Sequence, residues 1–114
     1  MPDDGRRAGE TAELRRLRRR IDALDRKLVG LLNERATLAR EAGHAKMAAG
    51  RTAVRDAERE REVLLRVSMA NTGPIPQADL LAIYRRLMAV TRGLESRDRA
   101  RTKPRAIDSE GDQG

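Results

Sequence analysis

Arg35, Glu60, Thr91 and Glu95 are polar residues at positions where helical spacing calls for apolar ones. Leu14, Leu17, Ile21, Leu24, Leu28 and Leu31 recur at alternating three- and four-residue steps; the next step lands on Arg35, and the stripe resumes with Leu38, Ala42 and Ala45. Burying an unpaired guanidinium is costly, so Arg35 has either an acidic partner, Glu60 or Glu95, or an anionic ligand. Glu60 shares a face with Val63, Leu64 and Val67, while Thr91 and Glu95 share one with Leu80, Tyr84, Leu87 and Leu94. One such exception is routinely a satisfied structural residue; several, spread over three segments, point to a polar cavity able to bind a small anion.

Helical geometry constrains which cations can cooperate. Arg35 and Lys46 lie eleven residues apart, which leaves them about 20° apart in azimuth and roughly 16 Å apart along a helix. Long side chains leaning together can hold one small anion between them. Arg18 stands about 25 Å from Arg35 along the same helix and roughly 100° round it. It cannot reach the same ligand from the same chain, so any site it serves belongs to a partner subunit. Otherwise Arg18 is a surface residue among Arg15, Arg16, Arg19 and Arg20. His44 and Tyr84 read as ordinary structural residues.

These residues need helices to position them. The 114-residue chain has the material of one domain with a thin core: 39% of residues are hydrophobic, and Tyr84 is the single aromatic. That composition disfavours a sheet and makes the class all-α. There is no cysteine, and the lone His44 cannot build a zinc site, so neither disulfides nor a metal centre is expected. The first twelve residues lack an apolar signal region, and no stretch approaches a membrane span, so a soluble cytoplasmic protein is expected. A formal charge of +7 favours anionic partners without choosing among them.

The first helix is predicted from about Glu13 to Lys46 or Met47, a rod of roughly 50 Å. It would project beyond a compact domain of this size and so needs a partner chain. Ala48 to Arg51 form a loop, and Asp56 is an N-cap for a second helix from about Ala57 to Met69. Asn71-Thr72-Gly73-Pro74 stops it, and Pro76 begins a third helix ending near Ser96. The expected organisation is a disordered tail over 1–12, a helical domain over 13–96 and a disordered charged tail over 97–114.

The run from Leu17 to Leu28, followed by Leu31-Leu32-Asn33-Glu34-Arg35 and Ala42-Gly43-His44-Ala45-Lys46, closely resembles the first helix of the AroQ-type chorismate mutases. Val54-Arg55-Asp56-Ala57-Glu58-Arg59-Glu60 resembles the second-helix signature of that family, and Asn71 to Pro74 with Ile83 to Met88 resembles the start of its third helix. The resemblance covers about Glu13 to Ser96. It implies an intertwined six-helix homodimer, three helices from each chain, with each of two active sites borrowing an arginine from the other chain. That arginine corresponds to Arg18, while Arg35, Lys46, Asp56, Arg59 and Glu60 correspond to home-chain positions.

The implied reaction is the Claisen rearrangement of chorismate to prephenate, an isomerisation in phenylalanine and tyrosine biosynthesis that uses no cofactor, metal or covalent intermediate. The substrate is a dianion whose two ends must be folded together, so paired cations act by fixing the reactive conformer and stabilising charge as the ether bond breaks. By resemblance Arg18 and Arg35 hold carboxylates, and Lys46 donates toward a carboxylate and the ether oxygen. Glu60 and the Asp56 backbone receive the ring hydroxyl, with Arg59 orienting this group. Thr91 stands where many members have serine, keeping a hydroxyl for the ring carboxylate. Glu95 stands where many have glutamine, beside the ether oxygen.

Relatives acting on 4-amino-4-deoxychorismate, or on isochorismate with elimination of pyruvate, share this logic, and Glu60 suits a ring hydroxyl or amine. A regulatory partner enzyme is compatible with so small a mutase. A basic nucleic-acid-binding dimer draws on the Arg15 to Arg20 cluster, but the informative cations face inward and almost no aromatics are available for stacking. A purely structural coiled coil accounts for the first helix but not for inward Glu60 and Glu95.

Overall fold

The computed structural model describes residues 9–51 and 55–113, with side chains as far as Arg101. Residues 1–8, most of the expected N-terminal tail, and Val54 of the second-helix signature lie outside the described residues. Three helices make up the described fold: α1 (Ala12–Ala48), α2 (Ala57–Ala70) and α3 (Gln77–Gln113). No strand occurs among the described residues. The chain forms two compact units, Met1–Thr37 and Leu38–Gly114, and α1 contributes to both.

In the first unit, Thr11 caps α1 by accepting the Leu14 backbone N–H at 3.1 Å, a bond typically worth about 1 kcal/mol. The apolar stripe predicted from spacing is present on this helix but uncovered: Leu17, Ile21, Leu24, Leu28 and Leu31 are all exposed, Leu24 to 62%. An isolated helix has little reason to keep such a stripe in water, since burying each leucine is worth about 2 kcal/mol.

In the second unit, α1 ends where Gly50 takes φ +85°, a conformation glycine adopts without a Cβ penalty. The Arg51 N–H then donates back to the Lys46 carbonyl at 2.9 Å and closes the turn. Asp56 caps α2, accepting the Arg59 N–H at 3.0 Å. That bond holds the Asp56 carboxyl below the usual carboxylate range against the opposing effect of burial, with the Arg51 and Lys46 charges assisting. After α2, Asn71 organises the connection: its Oδ1 accepts the Gly73 N–H, and its Nδ2 donates to the Ile75 carbonyl and to Gln77 Oε1. The Leu80 N–H donates to the Pro76 carbonyl, so Pro76 flanks the start of α3.

Helices α2 and α3 pack together; Val63, Leu64 and Val67 are half-buried on α2, as are Leu80, Tyr84 and Leu87 on α3, where Met88 is buried. The expected stop of the third helix near Ser96 does not occur. Ser96 to Arg101 contains neither glycine nor proline, and the inward spacing of Thr91 and Glu95 continues to Asp98, which is only 7% exposed. An inward carboxylate with cationic partners ties this turn down, and α3 runs on to Gln113 through the stretch whose composition reads as a tail.

Candidate active site

The second unit brings together polar residues from all three helices. Glu95 is buried on α3, and its Oε1 lies 3.9 Å from Lys46 Nζ on α1. That separation is an ion pair but too long for a hydrogen bond, and Oε1 is fully buried with no hydrogen-bond partner among the described residues. A buried carboxylate oxygen left in this state is costly unless a proton or a ligand donor reaches it.

Gly43 explains how Glu95 comes so close to α1. A Cβ at this buried glycine would sit 3.1 Å from both Cγ and Cδ of Glu95. Glycine inside a helix costs roughly 1 kcal/mol against alanine, so its presence here is accounted for by the close approach rather than by helix propensity. Gly43→Ala is expected to retain wild-type thermal stability within experimental scatter, the propensity gain offsetting the crowding, while displacing the Glu95 carboxyl. With Glu95 in the role that the family motif implies, steady-state turnover should fall about tenfold, because sub-ångström displacement of a group beside the substrate is enough to lose that much rate. Unchanged turnover would show that Glu95 has room to move without consequence.

Glu60, at the start of α2, is half-buried and engaged on both oxygens: Arg55 Nε lies 3.3 Å from Oε1, and Arg92 on α3 binds Oε2. Arg55 is 67% exposed, whereas Arg92 is 30% exposed. Arg59 is the residue that the family motif sets to orient this group. Its guanidinium pairs with Glu62 at 3.1 Å on the exposed side of α2, because Glu62 stands one turn further along the same helix face. Thr91 is half-buried, and its hydroxyl donates to the Leu87 carbonyl at 3.0 Å, leaving oxygen lone pairs but no proton to offer until it rotates.

The carboxylates that the sequence leaves open as partners of Arg35 are thus engaged by Lys46, Arg55 and Arg92. Arg35 itself is half-buried on the first unit. Arg18, also on the first unit, is exposed and pairs with Glu10.

One turn beyond Glu95 lies a second cluster. Arg40 grips Asp98 with two bonds, Nε to Oδ2 at 3.0 Å and Nη2 to Oδ1 at 2.8 Å; His44 Nε2 lies 3.3 Å from Oδ2, and Arg101 also binds the carboxylate. The Arg40 hydrogen bond holds the Asp98 carboxyl below the ordinary range although burial pushes it up, and it raises the Arg40 guanidinium in turn. A carboxyl titrating lower in the folded than in the unfolded state stabilises fully above its unfolded value and loses that effect as pH falls through the folded one. Asp98→Asn is therefore expected to lower the midpoint of thermal unfolding at neutral pH by several degrees, the difference from wild type shrinking as pH falls below the ordinary carboxylate range. A constant difference across that range would remove the ion pair as its cause. Asp98, Arg40 and Arg92 were not among the residues that the sequence singles out. The continuation of the 91, 95, 98 spacing was the available signal for Asp98.

A sequence model of the family described as chorismate mutase type II matches residues 17–96. The chain belongs to the chorismate mutase type II family. Among curated relatives, the bifunctional chorismate mutase/prephenate dehydratase of Aquifex aeolicus is 37% identical over 89 residues, and that of Escherichia coli strain K12 is 53% identical over 51 residues. These alignments cover 75% and 45% of this chain but only 24% and 13% of the relatives, so the chain spans at most about a quarter of their length. The solved structure of chorismate mutase form II from Thermus thermophilus superposes with a TM-score of 0.70 at 28% identity, covering 75% of this chain and 96% of that one. The matched family span contains Lys46, Glu60, Arg92 and Glu95 but ends before Asp98.

Proposed function

We propose that this chain is a chorismate mutase that rearranges chorismate to prephenate for phenylalanine and tyrosine biosynthesis, its mutase domain spanning 13–96. The observation that carries this reading is the Lys46–Glu95 pair inside the matched family span, with a buried oxygen that lacks a hydrogen-bond partner among the described residues. A single-substrate rearrangement needs groups that bind, fold and polarise rather than a nucleophile. Lys46 donates to the ether oxygen and a carboxylate, and Glu95 completes the contact to the ether oxygen when protonated. Glu60 accepts the proton of the ring hydroxyl, with the Asp56 backbone beside it at the start of α2. Thr91 turns its hydroxyl from the Leu87 carbonyl toward the ring carboxylate. Arg59 exchanges its exposed Glu62 partner for substrate at little cost, since exposed ion pairs contribute at most about 1 kcal/mol.

Arg35 and Arg18 take their roles from the family motif: each holds a substrate carboxylate, Arg18 in the site of a partner chain. An intertwined six-helix homodimer is supported by the exposed leucine stripe of α1, which another copy would cover. The bifunctional names of the relatives support a regulatory partner enzyme. Among the described residues no helix is long and apolar enough to cross a membrane; a cytoplasmic location follows from the proposed biosynthetic role.

Loss of chorismate ultraviolet absorbance on adding purified protein, with prephenate identified as the product, tests the assignment. Absence of that loss, with turnover of 4-amino-4-deoxychorismate or isochorismate instead, would move the protein to one of those chemistries.

A further inference from the structure

We propose that Arg92 is a specificity-determining residue that makes the Glu60 end of the site select a neutral ring hydroxyl over a ring ammonium. The inference rests on Glu60 receiving the ring substituent, as proposed above. Glu60 by itself does not discriminate: a carboxylate accepts a hydrogen bond from a hydroxyl and attracts an ammonium more strongly still. Its surroundings change the sign of that preference.

Two guanidiniums contact one carboxylate, Arg55 on Oε1 and Arg92 on Oε2, so the cluster carries one net positive charge. A neutral hydroxyl that donates to Glu60 gains its hydrogen bond without meeting that charge. An ammonium in the same place is attracted by Glu60 and repelled by both arginines. The two cations are not equivalent. Arg55 is 67% exposed and its field is screened by water, whereas Arg92 is held across the helix interface at 30% exposure and with the carboxylate at 16%. Arg92 is therefore the cation whose repulsion survives.

Its place in the fold fixes the contact. Arg92 follows Thr91 on α3 and precedes Glu95 by three residues, so it shares a helical turn with two other proposed substrate-facing side chains. Arg59, on the same helix as Glu60, pairs with Glu62 instead. Arg92 thus holds Glu60 from α3, where a smaller apolar residue would leave the α2 carboxylate to Arg55 alone and the cluster electrically neutral.

The test compares kcat/KM for chorismate with that for its analogue bearing an amine in place of the ring hydroxyl, in the full chain and in Arg92→Leu, Arg92→Gln and Arg92→Lys. The wild type is expected to favour the hydroxyl substrate. Arg92→Leu and Arg92→Gln should narrow that ratio at least about tenfold, chiefly through a lower KM for the amine, and Arg92→Lys, which keeps the charge, should retain most of it. Circular dichroism establishes which variants fold, and either neutral variant suffices. A ratio unchanged in a folded neutral variant that still converts chorismate would overturn the role of Arg92 and leave the mutase assignment standing. A wild type that converts neither substrate would overturn both, and a wild type that favours the amine would overturn the selectivity.

Discussion

Arg35→Ala is expected to lower kcat/KM for chorismate by at least about a thousandfold, with Arg18→Ala close behind. The substrate has two carboxylates on parts of the molecule that spend most of their time apart, and the rearrangement occurs only when they are drawn together. A guanidinium offers a rigid two-pronged donor to a carboxylate, so one arginine per carboxylate fixes both position and orientation. Removing either returns the substrate to its extended conformers and leaves a buried anion without its partner. Both effects fall on the transition state, so kcat should decline as well as KM rise. Initial rates with each variant over a range of chorismate concentrations measure this directly. A change confined to KM would reduce Arg35 to a simple binding contact.

The second large effect concerns Glu95. A glutamine at this place donates a hydrogen bond at any pH, while a glutamate donates only when protonated. Turnover by the wild type should therefore fall as pH rises, approaching about tenfold per pH unit once the protonated form has become the minority. Glu95→Gln should flatten that limb and exceed the wild type at alkaline pH. A variant profile superimposable on that of the wild type would take Glu95 out of the proton-dependent chemistry.

Much of this arrangement was legible from spacing. The limits of α1 and α2, Asp56 as a cap, and the inward faces carrying Glu60 and Glu95 all follow from patterns within a single helix, where sequence separation fixes azimuth. Partner choice between helices does not follow from such patterns. Whether Glu60 meets Arg92 depends on how α2 lies against α3, and several arginines of equal charge are near enough in sequence to compete for it; the structure pairs it with Arg55 and Arg92. Arg92 gave no signal because one more arginine in a chain with 25 basic residues is unremarked by composition. The continuation of α3 past Ser96 was hidden for a related reason: Arg97 to Arg101 reads as a charged tail unless Asp98 is known to meet Arg40, 58 residues earlier. Gly43 shows the same limit, since a helix-interior glycine looks like a weak point until the carboxylate that needs the space is located.

The proposed site takes Arg18 from a second copy of the chain, a proposal that the exposed leucines of α1 support, and complementation tests it most directly. Arg18→Ala and Arg35→Ala protein are each prepared, mixed in equal amounts, unfolded and refolded together, and assayed for conversion of chorismate to prephenate. In a mixed dimer the subunit that keeps Arg35 receives intact Arg18 from its partner, so one of its two sites is whole. Random pairing should then restore about a quarter of wild-type activity from two nearly inactive preparations. A refolded mixture that contains mixed dimers yet stays as inactive as its components would contradict a site shared between chains.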